Sequence, residues 1–103
     1  MNKKYHHVDT EQAIVLPPYP QKGKNGESRF SSVFESFQYH VKRQRKVLKI
    51  SQEYAASRCG VAKPTYVGYE LGRSQPNLEQ FIKVCNAMYL PYSTVIDDAE
   101  DEL

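Results

Sequence analysis

The run Ile50-Ser51-Gln52-Glu53-Tyr54-Ala55-Ala56-Ser57-Arg58-Cys59-Gly60-Val61, followed two residues later by Pro64-Thr65-Tyr66-Val67-Gly68-Tyr69-Glu70-Leu71-Gly72, decides the fold. Ser51 carries a side-chain oxygen that can cap the open amides of a helix starting at Gln52. Gly60 ends that helix, because glycine adopts the left-handed conformation that a sharp turn requires. The spacing predicts a helix over Gln52–Arg58 and another over Pro64–Leu71 that stops at Gly72. Proline restricts the residue before it and suits a first helical position, which puts Lys63 just outside the second helix. Two short helices joined by a tight glycine turn can present the second of them as an outward rod.

Working outward from this core, Ser32-Val33-Phe34-Glu35 reads as a capping box for a preceding helix. Phe34, Phe37, Val41 and Leu48 then share one helical face, and Lys42, Arg43, Arg45, Lys46 and Lys49 occupy the other. No acid falls between Glu35 and Glu53, which raises the prospect of a phosphate-facing stripe. Downstream, Asn77 caps a helix through about Met88, with Leu78, Phe81, Ile82, Cys85 and Met88 inward. Pro91 permits one more short helix, Tyr92–Ile96. The expectation is an all-α domain of five helices over residues 31–96.

The flanks differ from this body. Residues 1–30 hold Pro17-Pro18-Tyr19-Pro20 and Gln21-Lys22-Gly23-Lys24-Asn25-Gly26. Such a stretch is expected to be an extended, mobile arm, and one that could fold on a protein partner. Within it only Ala13–Leu16 has strand character. Residues 97–103 form an acidic tail. Five of the twelve acids lie there, while all fourteen Lys and Arg precede it, so residues 1–96 carry a formal +7 and the tail −5. A basic body suggests a polyanionic partner; the tail is either a solvated end or a competitor for the basic face.

Other classes find little support. The longest apolar run, Ala13–Leu16, is far too short to span a bilayer. No signal-peptide core follows the N-terminus, so the expected location is cytoplasmic. Cys59 and Cys85 lie far apart and form no CxxC pair; they read as buried small hydrophobes. His6 and His7 adjoin in the arm and His40 stands alone on a helix, a spacing that supports no metal site. Neither cysteine has an identifiable base, no serine lies in a glycine elbow, and no glycine-rich phosphate loop is present. An enzyme and a bound cofactor are not expected.

The quoted run Ile50–Val61 resembles the first half of the lambda-repressor-like (XRE-type) helix-turn-helix. The run Thr65-Tyr66-Val67-Gly68-Tyr69-Glu70-Leu71-Gly72-Arg73-Ser74-Gln75-Pro76-Asn77-Leu78 resembles its second half and the following loop. The similarity continues to Ile96 and covers about two-thirds of the chain. It implies a double-stranded DNA-binding regulator, more a repressor than an activator, working as a homodimer on a two-fold operator. By the same resemblance Ala56 is the small residue that lets two helices approach. Ala55, Cys59, Val61 and Tyr66 face inward, and Tyr69 and Leu78 help close the core. Gln52 would meet a DNA phosphate at a helix start. Arg73 and Ser74 would meet the next phosphate, and Arg43 is a further phosphate candidate. Arg45 and Glu70 match a structural salt bridge between the first helix and the end of the recognition helix.

The base-reading positions depart from the family pattern, which favours long polar side chains. Here the candidates are Lys63, Thr65, Val67 and Gly68, with Pro64 among them. Lys63 can donate to guanine, and Val67 and the Thr65 methyl can touch thymine methyls. Gly68 either permits close approach of DNA or is a weak point tolerated by packing. Leu90, Tyr92, Val95 and Ile96 either form a dimer contact or close the monomer core. The alternative function is a protein-interaction module of the same fold, with DNA secondary.

Overall fold

The computed structural model describes Leu16 and residues 18–101. The helices are α1 (Val33–Leu48), α2 (Gln52–Cys59), α3 (Lys63–Leu71), α4 (Leu78–Ala87) and α5 (Tyr92–Asp97), and no strand occurs among the described residues. The strand-like reading of Ala13–Leu16 and the pair His6 and His7 lie outside the described residues, apart from Leu16, which joins no strand.

Side-chain caps start three of the helices. The hydroxyl of Ser32 accepts from Glu35 N at 3.1 Å, and that of Ser51 accepts from Tyr54 N at 3.0 Å. Asn77 and Gln80 form a reciprocal capping box on α4. The box expected on α1 is only half made. Glu35 turns instead to the Ser31 amide and hydroxyl, both at 2.8 Å. Helix α3 begins one residue earlier than expected, at Lys63, with Ala62 as its cap. Lys63 and Pro64 both sit in the first turn, where amides lack intrahelical acceptors, so proline forfeits no hydrogen bond there.

Left-handed residues end four helices: Lys49 (φ 61°), Gly60 (70°), Gly72 (77°) and Tyr89 (54°). At the first, second and last of these the chain closes by the same pair of backbone bonds. One example is Gly60 N to Ser57 O together with Val61 N to Ala56 O, both 3.1 Å.

The core lies between the helices. Phe37 and Val41 of α1 meet Ala55, Ala56 and Cys59 of α2 and Tyr66 and Tyr69 of α3. Phe81, Val84, Cys85 and Met88 from the α4 side, with Leu90 and Val95, complete it. Phe37 packs edge-on to Tyr69, with ring centroids 5.5 Å apart. Helix α1 thus touches both α3 and α5, while α2 packs on α3 and α4. Two inward assignments differ from expectation: Leu78 is 73% exposed and Ile82 36%. Burial in α4 begins one turn after Leu78, at Phe81, and continues through Val84 and Cys85. Phe34 is also exposed, one turn ahead of the buried Phe37.

The body is wider than residues 31–96. Phe30 is buried, and so is Asp98, one residue beyond α5. The Asp98 carboxylate pairs with His40 Nε2 at 2.7 Å, accepts from the Tyr19 hydroxyl at 2.8 Å and lies 3.5 Å from Arg29 Nε. Its backbone carbonyl accepts from the Arg29 and Phe30 amides at 3.0 and 3.3 Å. Residues 18–30 therefore lie against α1 and the end of α5 instead of standing free. The first part of the acidic tail is a fastening, because a buried carboxylate needs the donors that this segment and His40 supply. Leu90 and Val95 close the monomer core, Ile96 packs partly against it, and only Tyr92 of the four dimer candidates is exposed.

Candidate nucleic-acid interface

The geometry of α3 follows from its 3.6-residue period. Tyr66, Tyr69 and Glu70 turn inward, while Lys63, Pro64 and Leu71 are exposed and Val67 is half-buried. Lys63, Val67 and Leu71 fall at i, i+4 and i+8, a single stripe along the outer side. Lys63 stands at the start of this stripe, and exposed Arg73 follows just beyond Gly72. The sole carboxylate of α3, Glu70, is buried, so the helix offers no acid to solvent.

Beneath that stripe lies a charged anchor. Arg45 Nε donates to Glu70 Oε2 at 2.6 Å and its terminal nitrogen donates to Oε1 at 3.1 Å. The third guanidinium nitrogen reaches the Ile50 carbonyl at 3.1 Å. The side chains are 16% and 2% exposed. This is a two-pronged pair of the kind that a planar guanidinium favours, and it ties α1 to α3 and to the segment entering α2. Gln52 joins it, its amide nitrogen donating to Glu70 Oε1 at 3.1 Å. Burial pushes the Glu70 carboxyl up, but the hydrogen bonds from Arg45 and Gln52, with the Tyr66 hydroxyl close by, outweigh burial and hold it below the usual carboxylate range. The Tyr66 hydroxyl itself is buried without a hydrogen bond of good geometry, and burial pushes that phenol up.

Residues 41–91 match the family profile described as "Helix-turn-helix". Residues 41–91 are a helix-turn-helix domain. A curated relative, described as "Uncharacterized HTH-type transcriptional regulator YqaE" of Bacillus subtilis (strain 168), is 33% identical over 52 residues, which are 50% of this chain and 45% of the relative. The chain thus spans less than half the length of that relative. No solved structure gives a significant match.

Within the helix-turn-helix domain, the turn between α2 and α3 works as the small residues suggest. Ala55, Ala56 and Cys59 are buried at the α2–α3 contact. Of the residues singled out for DNA, the fold gathers Lys63, Thr65, Val67, Arg73 and Gln52 around α3. Gln52 already serves Glu70, so the anchor and the proposed phosphate contact share one side chain.

Three of the singled-out residues are placed differently. Gly68 is buried. A β-carbon there would lie 2.4 Å from Ser74 Oγ and 3.0 Å from Ser74 Cβ, and the Gly68 carbonyl accepts from the Arg73 and Ser74 amides at 2.9 and 3.2 Å. The close approach that glycine permits is therefore made by the chain's own loop. Ser74 correspondingly directs its side chain at Gly68. Arg43 turns away from α3. It lines a cavity of about 290 Å³ with Tyr19, His40, Gln44, Leu90, Pro91 and Thr94, so it sits on the α5 side of α1, apart from Gln52 and Arg73.

Sequence reasoning missed Leu71, although its i+4 relation to Val67 was a legible signal. It also missed the surface where Arg58 lies over the Tyr89 ring, 4.9 Å from the centroid, while its guanidinium donates to the Ala87 carbonyl at 3.0 and 2.8 Å. Burial raises the Cys59 thiol and pushes that of Cys85 up to about 12, so both stay neutral thiols at neutral pH. Among the described residues no group of three or more His, Cys, Asp or Glu could hold a metal ion, and no helix is long and apolar enough to cross a membrane.

Proposed function

We propose that this chain is a sequence-specific regulator of transcription that binds double-stranded DNA through the helical domain of residues 31–96, against which residues 18–30 and Asp98 pack. The observation that carries the reading is the outward stripe of α3, with Lys63 at one end, Arg73 beyond the other and no exposed carboxylate on the helix. A rod of this kind, about 13 Å long over nine residues, fits the major groove. The designation of the Bacillus subtilis relative as a transcriptional regulator supports the same reading.

The mechanism is occlusion, which makes the protein a repressor: a bound domain covers promoter DNA that polymerase needs. Lys63, Thr65 and Val67 meet base edges, while Gln52 and Arg73 hold the phosphates that fix register. One domain makes few contacts, so useful affinity calls for a homodimer on a two-fold operator, with half-sites about 34 Å apart. Cytoplasmic location follows from the role.

The test is the salt dependence of binding to a duplex selected from random DNA. Affinity should fall steeply between about 50 and 200 mM salt, and Arg73→Ala should flatten the slope by about one unit while weakening all sequences alike. Binding that ignores salt contradicts the reading. A second reading, a protein-interaction module, is favoured by one observation: Tyr54 and Tyr89 are exposed, with Arg58 over the Tyr89 ring. It predicts that no selected duplex is bound specifically, and that substituting Tyr89 weakens a protein complex.

A further inference from the structure

The proposed DNA-binding reading leaves open what α3 would recognise, and the burial pattern narrows it. Direct reading of guanine, adenine or cytosine relies on guanidinium, ammonium, amide or carboxylate groups placed along the groove-facing stripe. That stripe holds Lys63 at its start, with Pro64 beside it, and is otherwise Val67 and Leu71. Leu71 is 51% exposed and continues the apolar strip begun by Val67 one turn earlier. Gly68 is sealed by Ser74 and Glu70 is held by Arg45 and Gln52, so neither can contribute a polar group.

We infer, resting on that DNA-binding reading, that the α3 stripe selects DNA through the C5-methyl groups of thymine, with Val67 and Leu71 as the specificity-determining side chains. An apolar surface in the major groove finds one apolar partner on the base edges, the thymine methyl. The ends of the stripe argue for nucleic acid over an apolar peptide as its occupant. Lys63 and exposed Arg73 stand at its two ends and α3 exposes no carboxylate, a pattern complementary to flanking phosphates. Lys63 supplies the one strong donor, suited to a guanine at the edge of the thymine-bearing steps. A methylated cytosine presents the same C5-methyl group and should substitute for thymine in the apolar contact while changing the hydrogen-bond pattern beside it.

The experiment uses the full chain and duplexes selected from random DNA. The best duplex is resynthesised with uracil in place of every thymine, which removes the methyls and keeps base pairing, phosphates and hydrogen-bonding edges. Affinity should drop roughly four-fold for each methyl contacted, the effect of exposing one methyl-sized group. Val67→Ser and Leu71→Gln, at a half-buried and an exposed position, should each lower the thymine-to-uracil ratio, and the double variant should bring it near one. Arg73→Ala should weaken both duplexes and preserve the ratio. Equal affinity for the two duplexes overturns the methyl inference and leaves the DNA-binding reading standing. A ratio that persists undiminished in the double variant Val67→Ser/Leu71→Gln also overturns it, since the effect would then come from DNA shape. A folded chain that selects no duplex overturns the DNA-binding reading itself.

Discussion

Replacing Arg45 by methionine keeps the apolar stem and the helix propensity of α1 while removing the guanidinium. Three hydrogen bonds go with it, two to Glu70 at 2.6 and 3.1 Å and one to the Ile50 carbonyl at 3.1 Å. Glu70, with its side chain only 2% exposed, then keeps Gln52 as a hydrogen-bond donor but faces no counter-charge. Stranding a buried charge in this way costs about 3–5 kcal/mol. The 16% exposure of Arg45 lets some water in, which places the expected loss near the lower end, about 3 kcal/mol. A small domain has a total stability of about 5–15 kcal/mol, so the variant should remain folded in dilute buffer. Urea titration at constant slope reads the change. The pH dependence carries a second signature. The Glu70 carboxyl is held low in the folded state, so its contribution is fully present above the unfolded carboxyl value of 4.5 and is lost as pH falls through the lower, folded value. Arg45→Met lacks that contribution, so the gap between variant and parent should narrow on acidification. Adding Glu70→Leu to Arg45→Met should recover most of the loss, because the pair is then replaced by apolar groups. A loss below about 1 kcal/mol, the scale of a solvent-exposed pair, or a gap that ignores pH, would refute this reasoning.

The remaining predictions concern the backbone and the docked segment. Gly68→Ala raises intrinsic helix propensity, yet it should destabilise, because the new β-carbon meets Ser74 at 2.4 Å; adding Ser74→Gly should restore the lost denaturation midpoint. Lys49→Gly relieves a left-handed φ of 61° and should stabilise by about 1 kcal/mol in the same urea assay. Asp98→Ala removes the common acceptor of His40 and Tyr19 and should cost about 2 kcal/mol. Trypsin should then cut after Arg29 far sooner than in the parent, and an unchanged cutting rate would show that the fastening does not depend on this carboxylate.

How much of this was legible depends on the range of the interaction. The caps at Ser32, Ser51 and Asn77 and the glycines at 60 and 72 act within one helical turn, so the two central helices and their joint could be read almost residue by residue. Lys49 and Tyr89 do the same turning work without glycine and leave no local trace. Tertiary bonding supports the second of these turns, as when Gln44 Nε2 donates to the Met88 carbonyl at 3.0 Å. The pairing of Arg45 with Glu70 was suggested by resemblance, since 25 residues separate them. Nothing comparable pointed to Asp98, whose partners His40 and Tyr19 lie 58 and 79 residues away. The acidic composition of residues 97–102 suggested solvent, whereas one of these carboxylates is drawn inside by a histidine and a tyrosine. At the candidate interface the outward period of α3 was visible in the sequence. The burial of Gly68 was not, because the side chain that seals it comes from a loop six residues on.

The most direct test is amide chemical-shift mapping of the full chain during titration with its selected duplex. Shifts should concentrate at Gln52, Lys63, Thr65, Val67, Leu71 and the Arg73–Ser74 loop, and leave Tyr54, Arg58 and Tyr89 in place. Changes centred on the Arg58–Tyr89 side, with α3 silent, would contradict the claim that α3 is the DNA-reading element.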